Sequence, residues 1–203
     1  MGYILVILGA YLMGCSNMAL CLAKLKNVDI RDGGSGNPGT SNATLLMGWR
    51  AGVLVGIHDI GKGVLAVLLT NWLFPELEYG GVAAGVACVL GHIFPVFMKF
   101  RGGKGFASYI GMTLALNWKF ALIILAAVVI VTVITDYIVL GTVTTVVATP
   151  VVLGLLTHSV ILVAILCVAT AVILYKHREN YVRIWKGTEI GLSSAFKKDH
   201  RVK

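Results

Sequence analysis

Two short stretches of this chain have the composition of anion sites. Residues 33–42 read Gly-Gly-Ser-Gly-Asn-Pro-Gly-Thr-Ser-Asn, and residues 101–105 read Arg-Gly-Gly-Lys-Gly. Glycine lets successive backbone N–H groups turn toward one point, and such nests bind anions. In the first loop Ser35 and Asn37 add side-chain donors to the amides of Gly36 and Gly39, and Ser41 or Asn42 is expected to cap the helix that follows. In the second loop Lys104 supplies the point charge a phosphate needs, beside the amides of Gly102 and Gly103. A Walker sequence, G-x-x-x-x-G-K-[ST], is absent, so a nucleotide is not indicated.

Further polar residues accompany the loops. His177, Asn180 and Arg183 recur every three residues, which places them roughly on one face of a helix, and Glu189 follows. His177 is the candidate general base for an attacking hydroxyl. Asp59 and Lys62 lie three residues apart inside an apolar run. An isolated charge at a bilayer centre costs about 2.5–3.5 kcal/mol on insertion scales, so these two are expected to pair or to line a site. His92 precedes Phe94-Pro95, next to the second loop. The four cysteines all sit in apolar runs without CxxC spacing or a neighbouring His, so they read as small buried hydrophobes and no metal site is visible.

The elements that must carry these groups are membrane helices. Of 203 residues, 58% are hydrophobic and 13% charged, well below the roughly 25% charge of soluble domains. Residues 3–23 hold no charge and are long enough to cross a bilayer. Residues 51–74 and 79–98 form two more runs. Residues 106–175 divide into four shorter segments, 106–118, 120–135, 137–157 and 158–175. The shortest of these must tilt little, sit partly inside protein or thin the bilayer. The expectation is one all-α integral membrane domain over residues 1–203 with about seven transmembrane helices, five being the alternative. The first run has no basic n-region before it and reads as a permanent span.

Fifteen of the 17 Lys and Arg residues fall in three segments: around the first loop, around the second, and after the last span. The loop at 75–79 carries Glu76 and Glu78 instead. The positive-inside rule then puts both Gly-rich loops and the C-terminus in the cytoplasm and the N-terminus outside. The same topology explains the net charge of +8 without nucleic acid.

Taken in order, these motifs resemble those of the bacterial acyl-phosphate-dependent glycerol-3-phosphate acyltransferases. The resemblance rests on Ser35-Gly36-Asn37-Pro38-Gly39-Thr40-Ser41-Asn42, Asp59-x-x-Lys62-Gly63, Gly91-His92, Phe97-x-x-Phe100-x-Gly102-Gly103-Lys104-Gly105, His177-Arg178-x-Asn180-x-x-Arg183 and Gly187-x-Glu189, and it spans nearly the whole chain. It implies a seven-span enzyme of the bacterial cytoplasmic membrane with its active site on the cytoplasmic face. The substrates implied are acyl phosphate and glycerol 3-phosphate, drawn together beside membrane lipid. The products are lysophosphatidic acid and phosphate, with no cofactor and no coenzyme A thioester. Ser35, Asn37 and the Gly36–Gly39 amides are expected to hold one phosphate, and Lys104 with Gly102 and Gly103 the other. Thr142, His177 and Asn180 would orient the glycerol hydroxyls. The departing phosphate can itself take the hydroxyl proton, which dispenses with a protein base.

One segment departs from the family pattern Thr-Arg-Tyr-x-Ser-Leu-x-Ser. Here it reads Thr135-Asp136-Tyr137-Ile138-Val139-Leu140-Gly141-Thr142. A membrane acyltransferase with another acceptor therefore stays open. A phosphate-ester transporter using the same charges is the other alternative.

Overall fold

The computed structural model describes residues 1–193, and among them all regular structure is helical. Lys197, Lys198, Arg201 and Lys203, counted above among the cytoplasmic bases, lie outside the described residues. In chain order the helices are α1 (Gly2–Gly14), α2 (Met18–Leu25), α3 (Thr40–Met47), α4 (Trp49–Leu73), α5 (Gly80–Ile93), α6 (Phe106–Leu116), α7 (Trp118–Thr135), α8 (Ile138–Thr157), α9 (Val160–Lys176) and α10 (Arg178–Trp185). A single 3-10 turn, Val96–Met98, follows α5.

Five stretches are long and apolar enough to cross a membrane: Gly2–Leu25, Trp49–Leu73, Gly80–Met98, Trp118–Thr135 and Ile138–Thr157. Helices α9 and α10 are long and apolar enough only when taken together, with a bend of 44° between them at His177. Each of the seven expected segments contains a helix, but 106–118 yields the 11-residue α6. That is about 16 Å of helix, half a bilayer. Helix α6 is accommodated inside protein: Ser108, Tyr109, Met112 and Thr113 are fully buried. It lies on α4 through glycines, Gly63 against the Ser108 carbonyl and Gly111 against the Ile60 carbonyl, where a Cβ on either would collide with backbone. Small residues at such crossings let helix backbones approach closely, which is how helices associate in lipid.

The outward faces carry the opposite chemistry. Ile123, Val129, Ile130, Val133 and Ile134 of α7 are exposed, as a lipid-facing stripe requires. All four tryptophans, Trp49, Trp72, Trp118 and Trp185, are exposed and lie at or next to a helix end. This is the interfacial belt position of amphipathic rings.

The first span is broken at Cys15–Asn17. Asn17 caps α2 by accepting the Leu20 N–H at 2.9 Å, and its amide donates to the Pro38 carbonyl at 3.2 Å. The break thus holds the first Gly-rich loop in place.

Candidate active site

The first loop is organised by Asn42. Expected as a helix cap, Asn42 is 2% exposed and turned back into its own loop. Its oxygen accepts the Ser35 N–H at 2.9 Å, and its nitrogen donates to the carbonyls of Ile30 and Gly33 at 2.8 and 3.1 Å. Helix α3 has Gly39 at its N-cap instead, with no side-chain cap. Buried amides of this kind satisfy loop backbone that no regular element can.

The glycine amides also have a job other than the one expected. Gly36 N–H donates to Gly33 O at 3.0 Å and Gly39 N–H to Asn37 O at 2.9 Å. Gly102 N–H donates to Ile93 O and Gly103 N–H to His92 O, both at 3.1 Å. These four donors hold the loops together rather than forming an open nest. The reason for glycine at 102 and 103 is proximity: a Cβ at Gly102 would strike the His92 carbonyl, and one at Gly103 the His92 imidazole. At Gly36 the reason is a left-handed φ of 66°.

The two loops meet. Arg31 Nη2 donates to the Arg101 carbonyl at 3.0 Å. Between the loops and the C-terminal end of the bundle lies a cavity of about 180 Å³. Ser35, Gly36, Asn37 and Pro38 form one wall, Gly102 and Lys104 a second, and Lys176, Arg178, Glu179 and Arg183 a third. Four bases against one acid make it a site for anions. Of the third wall, Lys176 and Arg178 read in the sequence as charge after a span, Arg178 also standing within the quoted motif, and Glu179 was not singled out.

Lys104 reaches from its loop to Asn180, its ammonium donating to the carboxamide oxygen. The Asn180 nitrogen donates to Glu189 Oε1 at 2.6 Å, and Arg183 Nε donates to Glu189 Oε2 at 2.6 Å. One chain of charge-assisted hydrogen bonds therefore joins Lys104, Asn180, Glu189 and Arg183. Burial draws the Lys104 ammonium below its ordinary pKa, and the Arg183 guanidinium pushes the same way.

His177 sits at the α9–α10 bend, 6% exposed. Its Nδ1 lies 2.8 Å from the Ile173 carbonyl. A carbonyl only accepts, so Nδ1 carries the proton and Nε2 keeps its lone pair. His177 and Asn180 are not among the residues lining the cavity, and neither are Gly39, Gly103, Glu189 and Thr142. Thr142 is buried near the start of α8, its hydroxyl donating one turn back to Ile138 O at 3.2 Å.

Asp59 and Lys62 pair at 3.0 Å, 2% and 3% exposed. Lys62 also donates to the carbonyls of Gly14 and Ser16 at 3.1 and 2.8 Å and to His92 Nδ1 at 2.8 Å. Those carbonyls end α1 at the break, so the pair seams α1, α4 and α5 together. An ammonium can only donate, so His92 Nδ1 accepts and the ring proton sits on Nε2, beside Gly103. His58, absent from the sequence reading, places Nδ1 3.2 Å from Asp59 Oδ1. The cluster lies beneath the second loop, not in the cavity.

A family model described as glycerol-3-phosphate acyltransferase matches residues 4–187. The chain belongs to that family. It is 38% identical over 181 residues to a glycerol-3-phosphate acyltransferase of Thermoanaerobacter sp. (strain X514), covering 89% of this chain and 90% of the relative. It is 35% identical over 209 residues to glycerol-3-phosphate acyltransferase 1 of Oceanobacillus iheyensis, covering 98% and 99%. The crystal structure of PlsY (YgiH), an integral membrane glycerol 3-phosphate acyltransferase, in its glycerol 3-phosphate form, superposes with a TM-score of 0.89 at 32% identity, over 97% of this chain and all of that one. The lysophosphatidic acid form of PlsY superposes with a TM-score of 0.86. The chain is thus an integral membrane acyltransferase, and the transporter alternative gives way.

Proposed function

We propose that this chain transfers a fatty acyl group from acyl phosphate to glycerol 3-phosphate, on the cytoplasmic face of a bacterial membrane. The observation that carries the reading is the cavity in which both Gly-rich loops face the bases of the C-terminal helix, Lys104 among them. Its chemistry suits phosphate esters, and the solved relative has been captured with glycerol 3-phosphate and with lysophosphatidic acid.

A second cavity, of about 390 Å³, borders the same second loop. Leu20, Phe97 and Met98 make its apolar wall, and Arg31, Lys99 and Arg101 its cationic one. An acyl phosphate has both characters, which supports it as the donor. In the reaction a glycerol hydroxyl oxygen bonds to the acyl carbon, the bond from that carbon to the phosphate oxygen breaks, and the hydroxyl proton leaves with the phosphate. Lys104 stabilises the charge that develops on the departing group, a role for a preorganised cation. Ser35, Asn37 and Arg183 bind phosphate oxygens. Holding donor and acceptor in line supplies much of the acceleration. The loops and C-terminus face the cytoplasm and the N-terminus faces out, supported by the clustering of bases.

The test is direct. Purified protein in detergent receives palmitoyl phosphate and glycerol 3-phosphate, and lysophosphatidate is measured. The wild type forms product, and Lys104→Ala loses roughly 10²–10³-fold in turnover. A folded wild type that makes no product overturns the reading. Turnover with another polyol phosphate in preference to glycerol 3-phosphate transfers it to the other acceptor.

A further inference from the structure

Asp136, where the sequence leaves the family pattern, has no part in the reading above. It ends α7 with φ 69°, a left-handed position that Asp tolerates better than most residues. From there it grips the tail of the chain. Its backbone carbonyl accepts the Leu192 N–H at 2.7 Å. Its Oδ1 accepts the Ser193 N–H and its Oδ2 accepts the Ser193 hydroxyl, each at 2.7 Å. The neighbouring Gly191 lies so close that a Cβ there would collide with the carboxylate.

The tail so held is the one that carries Glu189. After α10 the chain reverses at Gly187, φ 67°, and the Thr188 N–H donates to the Arg183 carbonyl at 2.8 Å. Glu189 then falls between Asn180 and Arg183, 11% exposed. The strap from 188 to 193 is therefore fastened at both ends, by Arg183 at one and by Asp136 at the other, with Glu189 between. Glu189 decides which way the Asn180 amide faces. By accepting from the nitrogen, it leaves the oxygen turned toward Lys104.

We infer that Asp136 is a positioning residue for the site. It anchors the tail so that Glu189 stays seated and the Lys104–Asn180 bond keeps its geometry. The kinetic consequence rests on the acyl-transfer reading; the anchoring itself does not. A carboxylate at 136 thus couples the α7–α8 turn to Lys104 through the chain's own C-terminal segment, without touching substrate.

The experiment is a double-mutant cycle combined with hydrogen exchange, on full-length protein in detergent. In Asp136→Ala the amides of Leu192 and Ser193 exchange at least about tenfold faster, while those of α5 and α6 keep their protection. kcat/KM for glycerol 3-phosphate falls about tenfold, the scale of one lost charged hydrogen bond. Glu189→Ala causes a loss at least as large, and adding Asp136→Ala to it causes none further, because the seat is already empty. Asp136→Asn, which keeps one acceptor for the Ser193 N–H, recovers part of the loss. Ser193→Ala and Gly191→Ala, which leave Asp136 in place, reproduce part of it and cover the case in which Asp136→Ala folds poorly. Losses that multiply in the double variant overturn the proposal, as does unchanged exchange at Leu192 and Ser193 in Asp136→Ala. A wild type that forms no lysophosphatidate overturns the acyl-transfer reading alone; the exchange arm still decides whether Asp136 holds the strap.

Discussion

Lys104 donates to the carboxamide oxygen of Asn180, 76 residues further along the chain. The amide cannot be replaced by its acid without consequence. Its nitrogen donates to Glu189 at 2.6 Å, and a carboxylate in its place has nothing to donate. Asn180→Asp sets two carboxylates against each other and turns the site toward binding Lys104 more tightly, at the expense of phosphate. kcat/KM for glycerol 3-phosphate falls by roughly 10²-fold, about 2.7 kcal/mol of lost transition-state stabilisation. Steady-state kinetics on purified protein check this, and near-wild-type kinetics in Asn180→Asp would remove the amide orientation from the account.

His177 tests how the proton leaves the attacking hydroxyl. His177 is not among the residues that line the cavity, which favours phosphate as the proton acceptor. His177→Ala then costs about tenfold or less in kcat through lost packing and orientation, against the 10²–10⁴-fold that general acid–base catalysis typically contributes. A loss near 10⁴-fold with unchanged substrate binding would make His177 the base.

Much of this was legible in the sequence, for reasons that differ by residue. Helix-scale apolar runs betray spans directly, because bilayer thickness fixes their length. Lys104 and the Asn180–Arg183 spacing stood out as polar groups at the edge of such runs. The short α6 was harder. Its length does not span, and only the glycine contacts with α4 reveal that it is buried. The glycines misled in a specific way. A Gly-Gly pair signals either an open nest or a close approach, and composition does not separate the two. Here His92 occupies the space a Cβ at Gly103 would need. Asn42 misled likewise, since a loop amide reads as a cap or ligand until its three bonds are seen. Lys176 and Arg178 hid among bases that topology alone explains, and Glu179 gave no signal of its own. His58 adjoins Asp59 in sequence, which was its only signal.

Gly103→Ala follows from that contact. The added methyl meets the His92 ring, which Lys62 holds from the far side at 2.8 Å, so the ring has little freedom to move. Overpacking of this kind costs about 1–3 kcal/mol. The variant melts lower, and pairing it with His92→Ala recovers part of the difference. An unchanged melting temperature in Gly103→Ala would mean the loop shifts freely, and the tight seat of the second loop would be lost from the picture.

The Asp59–Lys62 pair gives a contrast between breaking and replacing a buried charge pair. Lys62→Met leaves the Asp59 carboxylate buried with its ammonium gone, and it removes the donor from the Gly14 and Ser16 carbonyls. Breaking a buried pair in this way costs about 3–5 kcal/mol. Replacing both partners, as Asp59→Leu with Lys62→Met, removes the stranded charge and is less damaging than Lys62→Met alone, because the groups then left without their donor, the Gly14 and Ser16 carbonyls and His92 Nδ1, are uncharged. Thermal unfolding of the single and double variants in detergent ranks them. The cavity lies elsewhere, so turnover per folded molecule in the double variant stays close to wild type. A double variant that is stable yet inactive would move the cluster from the seam between helices into the chemistry itself.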